Sequence, residues 1–363
     1  MNRPLFADFA ELWTPVLRSS ELRGRKRRAE TVAGEKIVFF RDHAGDVAAL
    51  RDVCPHRGVA LSKGRVMKDG TLECPFHGWR FGKGGACTVI PLNDERYTAN
   101  ARMQAVSFPT REAGGLIWLY TAPVAQAPTE PDIPEILLDE RYNKLWYSEQ
   151  WETHWTRAME NMLDAAHLPY VHRYSIGTGL RRARPEQNIM DMQVEGRDYG
   201  FRATWGLRNP SAGSGAQGLE NVQDSKVRLD WRSPNSMHMP LAPQGNPDQP
   251  AKMVLEQMIW CIPIDAGRTK MLHVNIHSFG SWNPLFPLFQ LMNRRIFFED
   301  RHLMESSTPK EIPTASEEAC VPTDAATLTF RAYFHRHLKG SATHGERNDS
   351  ERLTTDTTSL QIA

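Results

Sequence analysis

Long apolar runs are missing from this chain of 363 residues. No stretch approaches the roughly 18 consecutive apolar residues that a membrane helix needs, and the mean hydropathy is −0.51. An excess of charge is missing too: 44 Lys+Arg stand against 43 Asp+Glu, for a net +1. A nucleic-acid binder needs a strongly basic surface to neutralise phosphates, so this balance argues against that class. Cysteine is scarce, five in all, which excludes a disulfide-stapled scaffold. No internal repeat is present. The opening stretch from Met1 to Thr14 is interrupted by Pro4, Asp8 and Glu11 and lacks the apolar segment of a secretory signal. The resulting expectation is a cytoplasmic protein with neither a membrane nor a nucleic-acid partner.

At roughly 100–200 residues per domain, the length suits two or three domains. Residues 36–53 predict a hairpin, KIVFF and VAALRDV around a polar turn at Asp42–Asp46. Further strands are expected at Gly115–Ala122, Phe201–Leu207, Val227–Trp231, Val254–Ile264 and Met271–Phe279. The proline-rich stretch from Thr121 to Glu135 disfavours helix and central strand alike and marks a boundary. The expected division is a first domain over 1–125, a connector over 126–145, a second domain over 146–338 and a polar, mobile tail over 339–363. Helical spacing of apolar residues appears at about Thr153–His167 and Leu285–Ser307.

Two of the cysteines sit in paired motifs, CPHRG at Cys54–Gly58 and CPFHGW at Cys74–Trp79. Each supplies one Cys and one His on a short loop with glycine just after the His. Such loops turn tightly and let backbone N–H groups approach a sulfur or a metal. Cys54, His56, Cys74 and His77 make a four-ligand set, for which the candidates are structural zinc and a two-iron, two-sulfide cluster of mixed ligation. The spacing, Cys-x-His and Cys-x-x-His separated by the seventeen residues Arg57–Glu73, suits a cluster in which one iron takes two Cys and the other two His.

A second constellation lies in ENMLDAAHLPYVHR, Glu160–Arg173. Asp164 and His167 are three apart and expected on one helix face, with Pro169 ending that helix so that His172 can converge on His167. An unbroken helix would turn His172 about 140° away, at 100° per residue. Two histidines and one carboxylate form the facial triad of non-haem Fe(II) oxygenases. The later helix offers Glu299, Asp300 and Glu305; Asp300 has the most apolar neighbours, Ile296, Phe297, Leu303 and Met304. Burying a carboxylate there is costly unless a cation compensates it, which selects Asp300.

The C-x-H-x17-C-x-x-H pattern resembles the Rieske fingerprint. Together with N-x-x-D-x-x-H-x4-H and the late Asp, the chain resembles the Rieske non-haem iron oxygenases, in particular the dicamba, vanillate and chlorophyllide oxygenase group. The resemblance implies an α+β fold: an N-terminal all-β Rieske domain, then a catalytic domain with an antiparallel sheet flanked by helices. It implies a 2Fe-2S cluster on Cys54, His56, Cys74 and His77, mononuclear Fe(II) on His167, His172 and Asp300, and O2 as co-substrate. Electrons would come ultimately from NAD(P)H through a ferredoxin or ferredoxin reductase. Asp164 would link an iron-bound histidine to a cluster histidine of the neighbouring subunit in a homotrimer, and Asn161 would sit near the iron. The implied reaction is oxygenation of a small organic substrate, monooxygenation or demethylation ahead of dihydroxylation. Desaturation or cyclisation with the same iron is the alternative, and a pure electron carrier a more distant one. The basic run RGRKRR, Arg23–Arg28, is read first as a solvated face.

Overall fold

The computed structural model describes residues 5–94, 100–208, 227–241, 253–279 and 286–339, so the expected tail lies outside the described residues except for Lys339. Two compact units form, one mainly from Met1–Asp139 and the other mainly from Glu140–Cys261 and Ala266–Lys339.

The first unit is all-β, with three small sheets. The expected hairpin consists of Glu35–Arg41 and Val47–Arg51, paired antiparallel in a sheet with Arg28–Val32 and Ser107–Phe108. Its turn is fixed by Asp42, whose Oδ1 accepts from the backbone N–H groups of Ala44 and Asp46, each at 2.9 Å. Inward residues of these strands, Val38, Phe40, Ala48 and Leu50, share one core with Leu72 and Phe81 of a second sheet of two- and three-residue strands. Cys54 and Cys74 belong to that same core. The strand Leu116–Tyr120, expected from its apolar run, is buried throughout and pairs with Trp13–Arg18 and Thr110–Ala113.

The second unit carries a seven-stranded sheet in the order 143–151, 268–277, 255–265, 236–240, 227–232, 200–207, 190–197. The four strands expected in this unit all lie in it. Arg268–His277 is buried on both faces from Met271 onward, so its alternating polar residues His273, Asn275 and His277 are enclosed with the apolar ones. Every residue of helix α1 (Trp155–Leu163) is buried. Trp155 packs edge-on against Phe330 and Phe334 at 5.9 and 5.7 Å. The polar residues of α1 are held by ions: Glu160 accepts from Arg157 Nη1 at 2.9 Å and from Arg331 Nε at 2.9 Å, and Arg331 Nη2 also meets Glu318 at 3.0 Å. Trp151 ends the strand 143–151 just ahead of α1.

The helix break falls earlier than expected. α1 stops at Leu163, and Asp164 already has extended backbone (φ −85°, ψ 123°), so Asp164 and His167 do not share a helix. Pro169 opens a helix instead of closing one: it lies in the first turn of α2 (Leu168–Val171), where its missing N–H costs nothing. His167 and His172 are the two caps of that single turn. The long helix α3 (Phe286–Met304) carries Asp300 in its C-terminal part.

Candidate metal centres

The two cysteine loops have one backbone design. Cys54 N–H donates to Val59 O at 2.8 Å and Gly58 N–H donates to Cys54 O at 2.8 Å; Cys74 N–H donates to Trp79 O at 2.8 Å and Gly78 N–H to Cys74 O at 3.1 Å. Both glycines are left-handed, φ +70° at Gly58 and +68° at Gly78, a conformation that favours glycine. The loops are thus superposable Cys-Pro-x-x-Gly turns, and the difference between Cys-x-His and Cys-x-x-His is one position of the histidine within the same turn. Both cysteines are buried, whereas His77 is exposed and His56 half-buried, so thiols face the core and imidazoles face outward.

Burial, with the Cys74 thiol beside it, pushes the Cys54 thiol up to about 11, against the backbone N–H groups of His56 and Arg57 that pull it down. His56 Nδ1 is buried without a hydrogen-bond partner. Its ring stacks on Trp79 at 4.5 Å and lies 4.6 Å from that of His77. Among the described residues, these four ligand atoms supply no group of three within 4.8 Å of one another.

The second centre is tighter. His167, His172 and Asp300 offer ligand atoms all within 4.8 Å of one another, the one such group among the described residues. Asp300 Oδ1 lies 3.1 Å from His172 Nε2 and 3.5 Å from His167 Nε2, yet it is buried without a hydrogen bond. Asp300 is 4% exposed, so its carboxylate is withdrawn from water and needs a positive partner. The expected apolar surround holds in part: Phe297 is buried, but Leu303 is 42% exposed. Burial pulls the His172 imidazole down, but the negative carboxylates of Asp300 and Glu299 beside its two ring nitrogens outweigh that, leaving the group above its ordinary value. Two carboxylates focused on one imidazole mark a spot that attracts a cation.

Glu299 is the residue sequence reasoning missed. Its Oε2 sits 2.9 Å from His172 Nδ1 and accepts from Ser175 Oγ at 2.8 Å, while Arg295 Nε donates to its Oε1 at 3.1 Å. A carboxylate on the outer ring nitrogen fixes the tautomer and leaves Nε2 free to bind metal. No local signal marks it: Glu299 immediately precedes Asp300 on the same helix, but the histidine it bonds lies 127 positions away. Asp164 stands in a similar relation to His167: its Oδ1 accepts from Ala166 N–H at 2.7 Å, and its Oδ2 is 3.6 Å from His167 Nδ1, longer than a hydrogen bond. Asn161 is buried on α1, its Nδ2 unpartnered, at the wall of the cavity that contains the triad. Glu305 faces elsewhere, accepting from Glu152 N–H and Arg301.

A model of the Rieske [2Fe-2S] domain matches residues 12–109, and one of the vanillate O-demethylase oxygenase C-terminal domain matches residues 151–340. The chain belongs to the Rieske oxygenases. It is 26% identical to methylxanthine N3-demethylase NdmB of Pseudomonas putida over 94% of each chain. It is 29% identical to the 5,5'-dehydrodivanillate O-demethylase oxygenase subunit of Sphingobium sp. over 53% of this chain and 45% of that one. It spans only 39% of the 3-chlorobenzoate-3,4-dioxygenase oxygenase subunit of Comamonas testosteroni. The crystal structure of dicamba monooxygenase bound to dicamba shares its fold, with a TM-score of 0.75, 21% identity and coverage of 94% of this chain and 100% of that one.

The family implies a Rieske cluster and a mononuclear iron. The residues of this Rieske oxygenase fit both groups: paired buried thiols with an unpartnered imidazole nitrogen at the first centre, and an orphaned carboxylate oxygen facing two imidazoles at the second. Cys87 and Cys261 are buried and Cys320 half-buried, each a free thiol outside both sites. Among the described residues no helix is long and apolar enough to cross a membrane.

Proposed function

We propose that the protein is the terminal oxygenase of a short electron-transfer chain, adding oxygen from O2 to a small organic molecule. The observation that carries this reading is the triad of His167, His172 and Asp300 beside a cavity, on a chain that also holds the paired Cys-His loops. When bound, the cluster supplies single electrons and the ferrous ion supplies O2 binding and reduction. The protein's part is positional. Cys54, His56, Cys74 and His77 would hold the cluster, and His167, His172 and Asp300 would hold the iron. Glu299 keeps the proton on His172 Nδ1, and Asp164 orients His167. Asn161, at the cavity wall, polarises or steadies what binds beside the iron. Apolar cavity walls exclude water and align the reacting group.

Demethylation or monooxygenation is the favoured outcome, because two relatives are named demethylases and the C-terminal family model is that of vanillate O-demethylase. Desaturation is the second reading: the chain is 32% identical over 166 residues to cholesterol 7-desaturase nvd 1 of Ciona intestinalis. The electron donor is a ferredoxin or its reductase, the location the cytoplasm, and the functional assembly a head-to-tail homotrimer in which Asp164 links the iron of one chain to the cluster of the next. The first unit is the electron-receiving domain and the second the catalytic one. Metal and sulfide analysis of anaerobically purified protein tests the reading. Three irons and two acid-labile sulfides per chain with a Rieske electron paramagnetic resonance signal support it; one zinc without sulfide sinks it. Product mass under heavy-isotope O2 separates oxygen insertion from desaturation.

A further inference from the structure

The cavity beside the triad has a lining that O2 chemistry alone does not require. About 70 Å³ of space lies among α1, α3 and four strands of the sheet. Apart from the triad, Asn161 and Asp164, its walls are apolar, with Met162, Trp205, Met237, Met239 and Phe297 prominent. Gln257 is the one further polar side chain, and no lysine or arginine lines the space among the described residues.

Gln257 is not left to swing freely. Its Nε2 is 3.0 Å from His273 Nε2, which in turn is 3.2 Å from Asn275 Oδ1. His273 and Asn275 are 0% and 1% exposed, and burial pushes the His273 imidazole down to about 4, against a hydrogen bond to Asn275 that raises it, so it is neutral. His273 Nδ1 and Asn275 Nδ2 have no hydrogen-bond partner among the described residues. Such a buried polar set is costly, and proteins keep local violations of this kind at functional sites. A neutral imidazole nitrogen either accepts from the carboxamide or donates to it. In both tautomers the opposite end of the Gln257 amide is left for a partner in the cavity.

We infer that the cavity takes an uncharged, mainly apolar substrate whose carbonyl, hydroxyl or amide group is hydrogen-bonded by Gln257, and that it discriminates against carboxylates. The inference deepens the oxygenase reading and rests on it for which molecule counts as substrate. With a cation at the triad balancing Asp300, a carboxylate entering this space would still shed its hydration beside Asp164, and among the described residues no lysine or arginine lines the cavity to pair with it. Met162, Met237 and Met239, unbranched and flexible, let the walls adapt to different apolar shapes. Orientation therefore falls to the one anchored amide.

The test is equilibrium binding by anaerobic calorimetry on the metal-loaded protein, using a panel of methoxyarenes matched as carboxamide and carboxylate, beginning with meta-methoxybenzamide and meta-methoxybenzoate. The amides should bind about ten-fold or more tightly than their carboxylates. Gln257→Leu should weaken amide binding by about five- to ten-fold, and Gln257→Arg should turn the preference toward the carboxylate. Carboxylates binding as well as amides, affinities indifferent to both substitutions, or no binding of any pair would each overturn the inference. The readout needs no turnover. Protein that discriminates the pairs but consumes no O2 with any substrate keeps this inference and removes the oxygenase reading; protein that oxygenates carboxylates preferentially does the reverse.

Discussion

The two candidate metal centres are built in opposite ways. The first takes four ligands from two short turns within 24 residues, Cys54 to His77, and each turn is closed by its own backbone hydrogen bonds. The second draws one carboxylate from α3, more than a hundred residues beyond the two histidines that cap a single helical turn. Its geometry comes from packing: α1 enclosed throughout and tied by Arg157, Arg331 and Glu318, and α3 held to His172 through Glu299. Local turns make the one; the tertiary fold makes the other. The two should therefore fail separately and for different reasons.

The largest effect should come from removing ligands. His167→Ala or His172→Ala is expected to abolish substrate-dependent O2 uptake while leaving the visible spectrum of the cluster intact, and Cys54→Ser should erase that spectrum while Fe(II) still binds at the triad. Metal analysis and spectra of the purified variants decide it; joint loss of both centres in each variant would end the claim of independence. Next comes Arg331→Ala, which leaves the buried Glu160 to Arg157 alone among the described residues and should cost about 1–3 kcal/mol in chemical unfolding, with damage confined to the second unit. Asp164→Asn and Glu299→Gln should then lower turnover or iron affinity by about 10- to 100-fold. The two differ in where they act: Glu299→Gln should weaken iron retention at the triad, whereas Asp164→Asn should keep both metals and slow the transfer between them in single-turnover reduction. Equal metal content and equal transfer rates would remove the roles given to these carboxylates. The smallest effect belongs to Gly58→Ala. A Cβ there meets nothing within 4 Å, so only the left-handed backbone, φ +70°, is penalised, by about 1 kcal/mol in thermal unfolding, with an unchanged cluster spectrum.

The contrast also explains what the sequence could and could not tell. Cysteines, histidines and turn glycines of the first centre are adjacent in the chain, so residue type and spacing were enough to mark them. The hairpin, the sheet strands and α3 were legible because their apolar residues alternate or recur at helical spacing. Three things were not. The end of α1 at Leu163 carries neither glycine nor proline, and Pro169, the obvious breaker, starts the next turn instead. The burial of His273 and Asn275 depends on both faces of a central strand being covered, a fact of the assembled fold and not of the strand's own alternation. Glu299 bonds a histidine 127 positions away, which helix neighbours at three and four residues could not show.

The twin turns at Cys54 and Cys74 also bear on how the protein matures. Backbone hydrogen bonds close each turn, so much of the receiving pocket's shape is written in the main chain. The liability of such a pocket is oxidation, since two thiols stand side by side and a disulfide would lock the cluster out. Burial answers it at one of the two: it pushes the Cys54 thiol up to about 11, and a protonated thiol attacks and oxidises slowly. The same core that hides the sulfurs from water thus gives the newly made chain time to be loaded.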